Sequence, residues 1–132
     1  MVNNVLVIDE DRNSRGVHRR KLSSLQASLQ ITHSADEALD KIERKRYDII
    51  IIQDRGRKDC NGPEFYDKIR NTGYSGPILV LTSNPSSKRE RYNGILDLVH
   101  KSVSSKNLCS LIENYYDANR PHLVEQISRQ GI

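Results

Sequence analysis

Acidic side chains follow two apolar segments of the sequence. The segment VLVI is followed directly by Asp9, Glu10 and Asp11, and the segment IIIIQ is followed by Asp54. If the two segments are neighbouring parallel strands, these carboxylates meet at the C-terminal edge of the sheet, where open α/β sheets bind their ligands. Carboxylates that lie so close repel one another unless a cation joins them, and oxygen ligands suit a hard ion such as Mg²⁺. The sequence therefore predicts a metal site.

Two further predicted strands end in side chains that would complement the acids. Thr82 follows the segment ILVL, and Lys101 follows the segment LDLVH. The set predicts phosphoryl transfer to a carboxylate, with Asp54 as the nucleophile. Lys101 and Thr82 would bind phosphoryl oxygens, and a metal would be held by Asp9, Glu10 and Asp54. Such a reaction depends on positioning and electrostatics more than on acid–base catalysis, so the protein needs no histidine base.

Apolar runs alternate with amphipathic segments along the whole chain. Strands are predicted at residues 4–9, 28–32, 49–53, 78–81 and 95–100. Each is followed by a segment with helical spacing. Strands that alternate with helices form parallel βαβ units with right-handed crossovers. The predicted fold class is therefore α/β, with a five-stranded parallel sheet that is doubly wound by helices.

The predicted helices have recognisable ends. Asp11 is a plausible N-cap for the first helix, with Val17, Leu22 and Leu25 facing inward, and Ser34 with Glu37 forms a capping box for the second. The other predicted helices run from Pro63 to about Asn71, through residues 86–92, and from Ser104 or Ser105 to a stop near Pro121.

Composition and charge limit the other function classes. The chain has 132 residues, of which 36% are hydrophobic and 29% charged, as in a soluble globular domain. No run approaches the length of a membrane span, so a cytosolic protein is expected. Cys60 and Cys109 lack a CxxC partner, which predicts reduced thiols and argues against zinc. The net charge of +4 comes without a nucleic-acid recognition motif, so a nucleic-acid site is not indicated.

Four motifs, taken together, resemble the receiver domains of two-component response regulators. VLVIDEDRNSR, IIIIQDRGRKDCNGPEF, ILVLTS and GILDLVHK occur in the order of that family, over about residues 3 to 118. The resemblance implies a flavodoxin-like (βα)5 fold with strand order 2-1-3-4-5. It predicts a receiver domain over residues 1–118 and a C-terminal extension or linker over residues 119–132.

The resemblance also implies a set of site residues and partners. Asp54 would be the phosphoacceptor, Asp9 and Glu10 the acidic metal pair, and the Gly56 backbone carbonyl a further Mg²⁺ ligand; Thr82 would be the switch hydroxyl and Lys101 the phosphate-binding lysine. The phosphodonor would be a histidine kinase or a histidine phosphotransfer protein, docking near Arg12, Arg15 and Arg19. An output domain or downstream protein would receive the signal. A homodimer is left open, and no membrane partner is expected.

Three positions depart from the family pattern. Lys58 and Ser102 stand where the family usually has proline, and Leu98 stands at the usual aromatic switch position. A cis peptide after Lys101 is therefore not expected. We hypothesise that phosphorylation is retained while the surface around residues 84–98 responds differently.

Two alternatives to a phosphoacceptor remain open at this stage. The altered positions are compatible with a pseudo-receiver that binds a partner independently of phosphorylation. A small phosphatase of the haloacid dehalogenase type would use Asp9 and Asp11 as its DxD motif, but it would leave Asp54 unexplained. His18, His33, His100 and His122 share no ligand spacing, so surface or packing roles are favoured for them.

Overall fold

The computed structural model describes residues 2–54, 62–83 and 97–130, with the backbone alone described at 97 and at 118–130. Its strands are short, apolar and mostly buried, as expected for a parallel sheet covered on both faces. They are β1 (Asn4–Ile8), β2 (Ser28–Thr32), β3 (Ile49–Asp54), β4 (Ile78–Thr82) and β5 (Asp97–His100).

All strand pairs are parallel, and the order across the sheet is β2-β1-β3-β4-β5. The first strand lies between the second and third, with Val5 beside Ile49 and Ile8 beside Ile52. The third pairs with the fourth, and Asp54 stands beside Thr82 at the end of that ladder. The predicted five-stranded, doubly wound fold with strand order 2-1-3-4-5 is confirmed.

The described helices are α1 (Arg15–Lys21), α2 (Ala35–Arg44), α3 (Gly62–Asn71) and α4 (Ser105–Gln130), with a 3₁₀ turn at Ser23–Leu25. The helix predicted at 86–92 falls outside the described residues. Apart from the start of α1 and the end of α4, strand and helix positions in the described residues follow the prediction closely, because long apolar runs and capping residues identify these elements locally.

Side chains on alternate positions of each strand build two separate cores. Leu22 and Leu25 after α1, with Leu108 and Ile112 from α4, cover one core, which we call the α1/α4 face. Its strand residues are Val5, Val7, Ile31, Ile49, Ile51, Leu79 and Leu81. Ala38 from α2, with Tyr66 and Ile69 from α3, covers the other core, the α2/α3 face. Its strand residues are Leu6, Ile8, Ile50, Ile52, Ile78 and Val80.

The start of the first helix differs from the prediction. Asp11 is not its N-cap: Ser14 holds that position, and its side chain makes no capping hydrogen bond. The Asp11 carboxylate accepts instead from the backbone N–H of Asn13 at 2.9 Å, which forms a turn before the helix. Val17, predicted to face inward, is 55% exposed, whereas His18 is 4% exposed. The inward side of α1 is therefore set by His18.

The second helix begins as its sequence predicts. Ser34 Oγ accepts from the backbone N–H of Glu37 at 3.2 Å. The Glu37 carboxylate in turn accepts from the backbone N–H of His33 at 2.8 Å, one residue earlier than in the standard capping box. The first bond satisfies a donor that the helix itself leaves unpaired, and the second ties the chain before the helix to its first turn.

The last helix is longer than predicted. It begins after Ser104, whose Oγ accepts from the backbone N–H of Asn107 at 3.2 Å, and it continues to Gln130. The expectation that Pro121 stops it is therefore wrong. A proline inside a helix costs about 3 kcal/mol because one donor is lost and the ring crowds the preceding turn. That local cost does not remove the backbone hydrogen bonds on either side.

Candidate functional site

The predicted phosphoacceptor and the predicted hydroxyl lie side by side. Asp54 and Thr82 are the last residues of β3 and β4, they are partners in the parallel register, and both are 0% exposed. The sequence places them there because the apolar runs before them fill the α2/α3 face up to the strand ends. A carboxylate and a hydroxyl thus share one edge of the sheet.

The first acid of the predicted metal pair has a different environment. Asp9 is 0% exposed, and its Oδ1 accepts from the backbone N–H of Asp11 at 3.0 Å. Its Oδ2 lies 2.7 Å from Nε2 of His18, a side chain that is itself 5% exposed. His33 Nδ1 lies 2.9 Å from the backbone carbonyl oxygen of Asp9. Both carboxylate oxygens of Asp9 therefore have protein partners.

Strand alternation explains why Asp9 meets α1. Successive side chains of a strand point to opposite faces, so Asp9 continues the row of Val5 and Val7 on the α1/α4 face. Asp54 continues the row of the α2/α3 face, where Ile50 and Ile52 are buried. Glu10 lies two residues beyond the end of β1 and is partly exposed. Asp9 and Asp54 thus begin on different sides of the sheet.

The predicted phosphate-binding lysine lies at the same edge of the sheet. Lys101 follows β5 directly, and its backbone N–H donates to the carbonyl of Thr82 at 2.9 Å. Its side chain is exposed, and no ion pair joins its ammonium to any carboxylate in the part of the chain that the structure describes. The Lys101 carbonyl accepts from Lys21 Nζ at 2.6 Å, which links α1 to the end of β5.

The donor set has the right chemistry for a hard divalent cation. Asp9, Glu10 and Asp54 offer only oxygen, and they follow neighbouring strands. Within the described ranges, however, no three His, Cys, Asp or Glu side chains gather as a metal-binding group. The carboxylate of Asp9 is directed to His18 and Asp11 instead. The residues therefore fit the ion by type, and the Asp9 carboxylate that would bind it is in contact with His18.

Other predicted positions have simpler outcomes. Arg12, Arg15 and Arg19 are exposed around the start of α1. Leu98 packs partly buried against the α2/α3 core. The described residues contain no cis peptide bond, so Lys101 and Ser102 are joined in trans as expected. Cys109 is a buried free thiol, which agrees with the predicted reduced state. Gly56, Lys58 and Cys60 fall outside the described residues.

His18 is the site neighbour that the sequence interpretation missed. It was assigned a surface or packing role because no ligand spacing links the four histidines. A helical repeat of four residues would have found it, since Ser14, His18 and Leu22 are all buried on one side of α1. A polar residue in the middle of a buried stripe, next to a strand that ends in carboxylates, is the available signal.

Comparison with known proteins gives the family. The model of the response regulator receiver domain matches residues 5–113 of the chain. The chain belongs to the response regulator receiver family. Among curated relatives, the response regulator MprA of Mycobacterium avium (strain 104) is 38% identical over 91 residues, and MprA of Mycobacterium sp. (strain KMS) is 37% identical over 91 residues. Each match covers 69% of this chain and 39% of the relative, so this receiver spans about two fifths of their length.

Solved receiver domains have the same fold. The receiver domain of the sensor histidine kinase PA1611 from Pseudomonas aeruginosa PAO1, with a magnesium ion coordinated in its active site cleft, has a TM-score of 0.74 at 23% identity, over 89% of this receiver and 99% of that chain. A CheY-like receiver domain protein from Methanospirillum hungatei JF-1 has a TM-score of 0.73 at 17% identity, over 92% and 99%. These likenesses establish the fold.

Among the described residues, no helix is long and apolar enough to cross a membrane.

Proposed function

We propose that this receiver accepts a phosphoryl group from a phosphohistidine onto Asp54, with Mg²⁺, and signals by altered protein contacts. The observation that carries the proposal is the placement of Asp54 at the buried end of β3, in register with Thr82 on β4. In the reaction, a carboxylate oxygen of Asp54 forms a bond to phosphorus. The P–N bond of the donor breaks, and its electron pair remains on the histidine nitrogen.

The remaining groups of the proposed site would bind the cation or the negatively charged phosphoryl oxygens. Asp9, Glu10, Asp54 and the Gly56 carbonyl would hold Mg²⁺, which when bound supplies positive charge against the phosphoryl oxygens. The Thr82 hydroxyl, fixed beside Asp54, would donate to one oxygen. Lys101 follows the next strand and, being exposed, can swing its ammonium toward another.

The proposed partners follow from the family and from the surface of α1. The donor would be a histidine kinase or a histidine phosphotransfer protein, with Arg12, Arg15 and Arg19 as exposed cations around its docking site. An output domain or a downstream protein would respond to the phosphorylated state. Residues 1–118 would form the signalling unit and residues 119–132 a C-terminal extension, of which residues 119–130 belong to α4.

The test is intact-mass analysis after incubation with acetyl phosphate, with and without Mg²⁺. The wild type should gain the mass of one phosphoryl group only when Mg²⁺ is present, and Asp54→Asn should gain none. Asp67→Asn makes the same chemical change at an exposed position on α3 and should behave as the wild type. A wild type that never gains mass would contradict the proposal and would favour a phosphorylation-independent binding module.

A further inference from the structure

We propose that His18 competes with the divalent cation for the carboxylate of Asp9, so that the cation binds only when the imidazole gives that carboxylate up. The inference deepens the proposed function and rests on it. It is carried by the 2.7 Å contact between His18 Nε2 and Asp9 Oδ2, which joins two side chains that are 5% and 0% exposed.

His18 lowers the free-energy cost of burying the Asp9 carboxylate in the cation-free protein. A buried carboxylate without donors is strongly destabilising, because it has lost water and gained nothing in return. In this structure Asp11 N–H donates to Oδ1 and His18 contacts Oδ2, so each oxygen has a partner. The pair therefore stabilises a state of the site that needs no metal.

The same contact opposes cation binding. Mg²⁺ requires close oxygen ligands in near-octahedral geometry and releases its waters reluctantly. A carboxylate oxygen that already interacts with an imidazole offers a cation less negative charge and fewer available lone pairs. A group that stabilises only the cation-free state lowers the apparent affinity for the cation by the same free energy.

The positions of Asp9 and Asp54 in the sheet explain how His18 and the cation would compete. Asp9 continues the α1/α4 face and lies against His18, whereas Asp54 continues the α2/α3 face. A cation shared by Asp9 and Asp54 would therefore have to compete with His18 for the Asp9 carboxylate. His18 holds it on the α1 side, and so sets the cation concentration at which the site is loaded.

Isothermal titration calorimetry with Mg²⁺ on the wild type, His18→Leu and His18→Gln tests the inference. Leucine fills the space without a donor, and His18→Leu should bind Mg²⁺ about tenfold more tightly or better, as expected for losing a hydrogen bond to a charged group. Glutamine places an N–H donor near the position of Nε2, and His18→Gln should stay within about threefold of the wild type. Adding Asp54→Asn to His18→Leu should abolish the tighter binding, which locates the cation.

The outcomes separate this inference from the proposed function. Equal affinity in the wild type and His18→Leu would overturn the competition while leaving the Mg²⁺ site in place. Weaker binding by His18→Leu would also overturn it, and would show that the imidazole orients a metal-bound carboxylate. An absence of binding heat in all three proteins, up to saturating Mg²⁺, would overturn the metal step of the proposed function and the inference with it.

A second measurement does not depend on a folded His18→Leu variant. In the ¹⁵N-labelled wild type, the Nε2 resonance of His18 reports on its contact with Asp9. Mg²⁺ should shift that resonance, and the shift should saturate with the calorimetric dissociation constant. A His18 resonance that stays unchanged at Mg²⁺ saturation would contradict the competition directly.

Discussion

On the α1/α4 face of the sheet the row of β1 ends in Asp9 paired with His18, whereas on the α2/α3 face the rows of β3 and β4 end in Asp54 beside Thr82. The apolar parts of the two faces are alike, since each is a buried layer of aliphatic strand residues under helices. The polar ends differ. One carboxylate is occupied by an imidazole, and the other stands beside a hydroxyl.

The difference shows how strand alternation assigns a carboxylate to one side of a sheet. Asp9 follows β1 in the row of Val5 and Val7, whereas Asp54 ends β3 in the row of Ile50 and Ile52. Two acids at neighbouring strand ends therefore need not have the same neighbours. The side on which each carboxylate begins decides which helix it meets, and on α1 the residue that meets Asp9 is a histidine.

The largest expected effect is a loss of unfolding free energy when a core isoleucine is truncated, and comparing one isoleucine from each face tests whether the two apolar layers are equivalent. Ile51 belongs to the α1/α4 core and Ile52 to the α2/α3 core, and both are 0% exposed. Ile51→Ala and Ile52→Ala should each lower the free energy of unfolding by about 2–5 kcal/mol, because each leaves a cavity between packed layers. Denaturant unfolding followed by circular dichroism measures both.

The control for this pair is an exposed aliphatic residue of the same domain. Val17 is 55% exposed on α1, so Val17→Ala should change the free energy of unfolding by no more than about 0.5 kcal/mol. A loss confined to Ile51→Ala or to Ile52→Ala would show that only one face carries the cooperative core.

The same contrast shows which features the sequence could predict. The strands were predictable because runs such as Ile49 to Ile52 are long, apolar and followed by polar residues, and the edge position of Asp54 and Thr82 followed from them. His18 could not be predicted to face inward because aliphatic residues such as Val17 are the usual signal for the buried side of a helix, yet Val17 is exposed and His18 is buried. Pro121 disfavours a helix locally, but the helix continues past it to Gln130. Side-chain partners across the fold, such as Asp9 with His18, depend on tertiary packing that local patterns do not contain.

A smaller change in the free energy of unfolding is expected at the N-termini of α1 and α2, the first helix on each face. The α2 N-terminus has a side-chain cap at Ser34, while the α1 N-terminus at Ser14 has none. Ser34→Ala should cost about 1 kcal/mol of unfolding free energy, and Ser34→Asp, which keeps an acceptor at the cap, should cost much less. Thermal unfolding measures both. Equal losses for alanine and aspartate would show that the Ser34 hydroxyl does not act as a cap.

The last expected effect is a pH dependence of stability that arises on the α2/α3 face. Tyr47 and Tyr74 both pack in or against its core, and burial raises the pKa of each phenol above its ordinary value, although Arg70 partly opposes the rise in the pKa of Tyr74. The folded state therefore keeps both protons when the unfolded state, with a tyrosine pKa near 10, releases them. This stability is fully present below about pH 10 and declines as the pH rises further.

Tyr74→Phe isolates one of these two groups. The variant loses the hydrogen bond from Tyr74 Oη to the Pro77 carbonyl, 3.1 Å long, which costs about 1 kcal/mol at neutral pH. Above about pH 10 its unfolding free energy should fall less steeply than that of the wild type, by up to about 1.4 kcal/mol per pH unit, because one proton fewer is released on unfolding. Urea unfolding at a series of pH values from neutral to alkaline gives both slopes. Parallel slopes would mean that the Tyr74 phenol ionises equally in the folded and unfolded protein, and the α2/α3 face would then have no alkaline sensitivity from this residue.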